Sequence, residues 1–294
     1  MNSHIKKITF SSEKEWLKAR KEYIGASDVS IILGVSRWRT NDGRIKTPRL
    51  LWAEKLGLDS MDCDNAATRY GKVMEEPARQ AYQNMVGDVF EPICVLNEKY
   101  PHLMVSLDGL NVTDDRAVEI KNCSEYDHIL AKDGKVPDKY YPQVQMQLMV
   151  TELPYIDYFS FHKGEGVIIK VEADQEYQLE LNDKLKKFWK YVVDLKEPPL
   201  TENDYIEQGK QWTEIASKLY DIKQKKKSLC EEEKAIEESL KNLSNNNNSR
   251  SGGFMFTKST SLGKIDYKSI PELLNRDLSE FRGRPSERWV LKRI

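Results

Sequence analysis

Residues 103–121, LMVSLDGLNVTDDRAVEIK, decide the fold. Leu103, Val105 and Leu107 alternate with Met104, Ser106 and Asp108, the period-two pattern of a strand with two unlike faces. Ala117 to Ile120 forms a second short strand, and Asn111, Thr113, Asp114 and Asp115 supply turn chemistry between them. Asp108 closes the first strand, Glu119 sits on the second, and Lys121 follows two residues later on the same face. A hairpin brings Asp108 beside them. Two carboxylates and an ammonium on adjacent strands suit a hard divalent cation and an activated water. In that reading Asp108 and Glu119 are ligands and the Ile120 carbonyl is a further one, while Lys121 holds the water or stabilises developing negative charge. The same trio also reads as a structural ion pair.

Composition sets the frame. The chain has 294 residues, 39% hydrophobic and 32% charged, enough for a full core and one or two domains. No apolar run has the length needed to cross a bilayer, and MNSHIKKITF lacks the apolar segment of a secretory signal. The four cysteines are widely spaced with no CxxC pair, against a disulfide framework, a zinc site or an iron–sulfur cluster; a reducing cytoplasm is expected. Net charge is −1, but residues 1–60 carry 12 Lys+Arg against 7 Asp+Glu and residues 250–294 carry 10 against 5. Locally basic ends around an acidic middle fit a DNA-handling protein with a carboxylate site; ordinary surface variation fits the same counts.

On the N-terminal side of the hairpin, Ser11-Ser12 caps an amphipathic run containing Trp16 that ends at Arg20. Gly25-Ala26-Ser27 then opens a second helix, and backbone N–H groups beside a hydroxyl suit a phosphate; a simple serine cap is the alternative. Trp38 lies between Arg37 and Arg39 in a polar loop, a nucleic-acid contact type. Thr47-Pro48 starts a helix that ends at Gly57. Residues 66–87 are helical by periodicity, with Glu75 and Glu76 mid-helix and Pro77 expected to kink it. Val89 to Leu96 reads as a strand.

On the C-terminal side, residues 122–138 read as a loop, followed by a helix with Val144, Leu148 and Thr151 on one face. Gln143 and Gln147 form an i, i+4 pair there, with Gln145 set off from them. Strands 155–162 and 167–172 and a helix from Asp174 to about Leu195 complete the unit before Pro198-Pro199. The order predicts an α/β fold, a central mixed β-sheet flanked by helices. Beyond it, Trp212, Ile215, Leu219, Ile222, Lys226, Leu229, Glu233, Ile236, Leu240 and Leu243 keep strict three-four spacing, a long helix with a coiled-coil-like seam over residues 200–243. That seam is expected to make helix–helix contact within or between subunits. Residues 244–253, SNNNNSRSGG, read as a flexible linker, and 254–294 as a small α+β appendage with a hairpin at 253–267, a helix at 270–281 and a strand at 288–294.

Several segments, in order, resemble the YqaJ/lambda-type phage recombination exonuclease family of the PD-(D/E)XK nuclease superfamily. They are Trp16-x3-Arg20 with Gly25-Ala26-Ser27, Gly71-x3-Glu75, Ser106-Leu107-Asp108-Gly109, Glu119-Ile120-Lys121 and Tyr141-Pro142-Gln143-Val144-Gln145. The resemblance covers about residues 12–195; Leu107 stands where the superfamily name puts proline, and the tail lies outside the family core. It implies a restriction-endonuclease-like core over 1–199 and a Mg²⁺-dependent (Mn²⁺ also fits) exonuclease that degrades the 5′-ended strand of duplex DNA. The 3′ single strand is left for a single-strand annealing protein. It also implies a ring-shaped homotrimer in a bacterial host, phage- or prophage-encoded. By the same resemblance Arg20 and Ser27 hold the terminal phosphate, Glu75, Asp108 and Glu119 bind the metal, and Gln143 and Gln145 sit at the active site with Ser106. The weighed alternatives are an endonuclease on the same core and a non-enzymatic DNA-binding scaffold.

Overall fold

The 103–121 hairpin is the middle of a seven-stranded sheet. The computed structural model describes residues 2–36, 38–40, 42–59 and 66–261, with isolated positions beyond. It divides into two units, Met1–Tyr205 and Ile206–Ile294, so the first boundary lies a few residues past the proline pair.

In the first unit the strands are β1 (Ile5–Ile8), β2 (Ile24–Gly25), β3 (Phe90–Asn97), β4 (Leu103–Asn111), β5 (Ala117–Asn122), β6 (Tyr155–His162) and β7 (Glu165–Glu172). The order is β1-β3-β4-β5-β6-β7, with β2 added beside β4. β5 and β6 run parallel, as do β2 and β4; the other pairs are antiparallel. The expected mixed sheet is present, with a short edge strand, β1, that the N-terminal reading did not contain.

The β4–β5 pairing is short, Gly109 with Val118 and Leu110 with Ala117. A Cβ on Gly109 would lie 2.7 Å from Phe90 Cβ and 2.9 Å from Val118 Cγ1, so the strands close only because this residue has no side chain. On the far side of that pair they part. The two residues of β2 take up the start of β4, Ile24 beside Leu103 and Gly25 beside Met104. The fork between β4 and β5 is therefore left for side chains.

Helices cover both faces. On one lies α4 (Ala66–Val86), which continues through Pro77. Its Ala78 and Tyr82 pack with Phe90, Val118, Ile120, Phe159 and Phe161. On the other lie α2 (Val29–Ile32), α3 (Pro48–Lys55), α6 (Tyr141–Thr151) and α7 (Gln175–Val193). α3 starts at Thr47, whose hydroxyl accepts the Leu50 N–H at 3.2 Å, and carries Pro48 in its first turn. α7 is capped by Asp174 and buries Leu181, Leu185, Phe188 and Val192, the spacing of one helical face. α6 is buried from Val144 to Thr151, so Gln145 and Gln147 are interior, while Gln143 is half-buried. Side chains such as Met146 and Leu148, 0% and 1% exposed, contribute about 1.5–3 kcal/mol each by leaving water. Between β5 and α6, where a loop was expected, Ser124 caps a helix, α5 (Glu125–Lys132); its apolar residues are too few for periodicity to show.

In the second unit α8 (Lys210–Leu243) is one continuous helix with no buried residue. The stretch read as linker is not structureless: β8 (Ser249–Ser251) pairs with β9 (Phe254–Phe256) across Gly252 and Gly253, both at positive φ. A hairpin therefore starts earlier than the 253–267 reading, whose residues 264–267 lie outside the described residues. The helix read at 270–281 and the strand at 288–294 lie outside the continuously described residues. Among the described residues no helix is long and apolar enough to cross a membrane.

Candidate active site

At the β4–β5 fork Asp108 does the work of a missing ladder partner: its Oδ2 accepts the Ile120 N–H at 2.7 Å. Glu119 and Lys121 point to the α6 side, and the Lys121 ammonium meets Glu119 Oε1. Glu119 is 1% exposed. Such a carboxylate needs a full set of donors. Gln143 donates to its Oε1 at 2.6 Å and Gln147 to its Oε2, the two amides standing one helical turn apart on α6. Gln147 also reaches the Ser106 carbonyl.

Gln145 does not join them. Its amide donates to the Glu172 carbonyl, and its oxygen accepts from the Asp174 N–H and from Gln178. The motif reading set Gln143 and Gln145 at the active site; Gln143 does bond Glu119, but the second amide on that carboxylate belongs to Gln147. The reason is helical: residues 143 and 147 share a face, whereas 145 is turned about 200° away.

Burial raises the Asp108 pKa well above the usual carboxylate range, with Glu119 and Glu75 adding to the rise and Lys121 opposing it. Burial works against the Lys121 ammonium, but Glu119 and Asp108 outweigh it and hold its pKa above the ordinary lysine value. The Tyr140 ring also lies 5.1 Å from Lys121 Nζ. Buried Glu119 and half-buried Asp108 thus have one ammonium between them, ion-paired to Glu119. This donor set fits a hard divalent cation, which would relieve the surplus negative charge. Glu75 acts on Asp108 through space, but its carboxylate lies 3.6 Å from Arg79 and is 46% exposed. Among the described residues no three His, Cys, Asp or Glu side chains are gathered closely enough to hold a metal ion. Arg79, which the motifs did not mark, is buried on α4 and donates to the Asp108 carbonyl at 3.0 Å while pairing with Glu76.

A second cluster stands beside the trio because β2 lies against β4. α1 (Glu13–Ala19), capped by Ser12, carries Trp16, and Arg20 follows it. The Arg20 guanidinium lies 4.9 Å from the Trp16 ring centroid, donates to Ser27 Oγ at 2.7 Å and pairs with Asp28. Asp28 is buried, accepts the Gly25 N–H, and forms a 2.6 Å ion pair with buried Lys55. Burial alone would raise the Asp28 pKa; Lys55 and Arg20 overcome that and pull it down to about 2. Trp16 Nε1 donates to the Ser106 hydroxyl, so Ser106 ties this cluster to β4 instead of standing free. A cleft of about 1050 Å³ is lined by both groups, including Arg20, Ser27, Glu75, Asp108, Glu119, Lys121 and Gln143. Trp38 lines it too and is 46% exposed. Arg37 lies outside the described residues.

The first unit is thus a mixed α/β fold, a forked central sheet with a carboxylate pair and a lysine at the fork and helices on both faces. Similarity to solved structures agrees. The alkaline exonuclease of Laribacter hongkongensis is 23% identical, with a TM-score of 0.51 over 62% of this chain and 93% of that one. The same exonuclease in complex with dAMP matches at 24% identity and a TM-score of 0.51, with the same coverage. The family model of the YqaJ-like viral recombinase domain matches residues 15–154. An uncharacterized protein of Bacillus subtilis, YqaJ, is 27% identical over 172 residues, 57% of this chain. The chain spans about half the length of that relative, 52%.

Proposed function

We propose that this protein is a divalent-metal-dependent exonuclease acting on the ends of linear duplex DNA. It removes the 5′-ended strand and leaves a 3′ single strand for an annealing protein, in the cytoplasm of a bacterial host. One observation carries the reading: a single cleft holds both the Asp108–Glu119–Lys121 trio and the Arg20–Ser27 pair. A phosphate held by Arg20 and Ser27 would lie in the same cleft as the carboxylates, which suits a strand end presented to them.

The guanidinium of Arg20, fixed by Trp16 and Asp28, and the hydroxyl of Ser27 would take the 5′-phosphate through charge-assisted bonds. That contact sets which phosphodiester lies over the trio. Asp108, Glu119 and the Ile120 carbonyl would hold Mg²⁺ or Mn²⁺, and Glu75 completes the proposed carboxylate set. The bound cation would supply a more acidic water and neutralise charge on the phosphoryl oxygens. Lys121 would hold the attacking water against Glu119 and offset developing negative charge. Gln143 and Gln147 keep both Glu119 oxygens in place. Trp38 in the cleft lining, and Arg37 beside it in sequence, would contact the duplex, and the ring-shaped homotrimer implied by the family resemblance would account for processive digestion.

A duplex labelled separately at each 5′ and 3′ end tests polarity. With Mg²⁺, the 5′ label is expected to leave first, as mononucleotide, while the 3′ label stays on long strands. Early release of the 3′ label would overturn the polarity, and binding without Mg²⁺-stimulated release would favour the scaffold alternative.

A further inference from the structure

α8 exposes its apolar seam along its whole length: Trp212, Ile222, Leu229 and Ile236 are 53%, 61%, 64% and 56% exposed. An apolar stripe of this length on an isolated helix is a surface for another helix. Charge says which one. The helix is basic just before its midpoint, with Lys223, Lys225, Lys226 and Lys227, and acidic just after, with Glu231, Glu232 and Glu233.

Numbering the seam as a heptad puts Trp212, Leu219, Lys226, Glu233 and Leu240 at a, and Ile215, Ile222, Leu229, Ile236 and Leu243 at d. A parallel, in-register pair would set Lys226 against Lys226 and Glu233 against Glu233 in its core, and like charges there repel. An antiparallel pair layers a against d. With its two-fold axis between residues 227 and 228, Lys226 meets Leu229 of the second copy and Glu233 meets Ile222. Lys226 then stands one layer from Glu233 of the second copy, and Lys225 faces its Glu232 at the flank. The like-charge layers of the parallel form are gone, and opposite charges stand in neighbouring layers and at the flank.

We propose that α8 pairs antiparallel with α8 of a second copy of this chain, in a closed two-fold contact that does not depend on the function of the cleft. The pairing doubles whatever particle the first unit forms.

The test is sedimentation of the full chain and of three charge variants, which alter exposed side chains only and leave helicity by circular dichroism unchanged. Lys225→Glu with Lys226→Glu makes all four facing positions, 225, 226, 232 and 233, acidic, and Glu232→Lys with Glu233→Lys makes all four basic. Each is expected to halve the particle mass, and an equimolar mixture to restore it. All four reversals in one chain are also expected to restore it, since the block is then inverted but still complementary. Leu229→Asp is expected to halve the mass as well. Wild-type mass in every variant would overturn the proposal, as when the seam is covered by the chain's own residues. So would a four-reversal chain that stays dissociated.

Discussion

The first unit keeps polar groups inside and the second keeps apolar groups outside, and both depart from the usual rule in an informative direction. Glu119, Asp28 and Gln147 are 1%, 3% and 0% exposed, each held by named partners. α7 and α8 make the contrast at the level of one helix. Both carry apolar residues at three-four spacing, but α7 buries Leu181, Leu185, Phe188 and Val192 against the sheet, whereas α8 buries none. Periodicity shows that a helix has a face; it does not show what covers it. A buried charge marks a site and an uncovered stripe marks a partner.

Lys121→Ala tests the polar interior most severely. Loss of the ammonium from the trio is expected to slow cleavage by about 10²–10⁴-fold, measured as single-turnover digestion of a linear duplex with saturating Mg²⁺. Unchanged cleavage would reduce the trio to a structural ion pair. Next comes Asp28→Ala, which leaves buried Lys55 without its carboxylate. An unfolding free energy lower by about 3–5 kcal/mol is expected in urea titration, together with a weaker preference for 5′-phosphorylated ends because Arg20 loses an anchor.

The pH dependence of the same residue is smaller. The folded pKa of Asp28 is about 2, against an ordinary value of 3.8. Its stabilisation is therefore present above the ordinary value and is lost as pH falls through the folded one, an effect of about 2 kcal/mol. The wild type should lose this increment between about pH 4 and pH 2, and Asp28→Asn should not. Leu229→Ala in α8 should change thermal stability least: at concentrations where the chain is unpaired, an exposed position is worth within about 0.5 kcal/mol, whereas Leu185→Ala in α7 should cost about 2–5 kcal/mol.

Much of the core was legible because it follows period-two and period-four patterns. Asp108, Glu119 and Lys121 could be placed on adjacent strands from alternation alone, and the i, i+4 relation of Gln143 and Gln147 was visible. The motif nonetheless marked Gln145 beside Gln143 and passed over Gln147, because nothing in the sequence tells which helix face meets Glu119. Arg79 and Lys55 were missed for a similar reason: a buried cation is legible only through its partner, and those partners lie on other elements. The fork in the sheet was not legible either, since β2 is only two residues long and pairs with a strand far along the chain. In the second unit the long helix was plain from its seam, while the asparagine-rich stretch concealed β8, whose three residues all face solvent.

The central claim is that one cleft both captures a 5′-phosphate and hydrolyses the bond beside it. Its most direct test compares 5′-phosphorylated linear, 5′-hydroxyl linear and closed circular duplex, each with and without Mg²⁺, for wild type and Arg20→Ala. The account predicts Mg²⁺-dependent digestion of the phosphorylated linear duplex, slower digestion of the hydroxyl form by about 10-fold or more, no cutting of the circle, and loss of that preference in Arg20→Ala. Nicking of the circle, or equal rates on both linear ends for wild type, would contradict it.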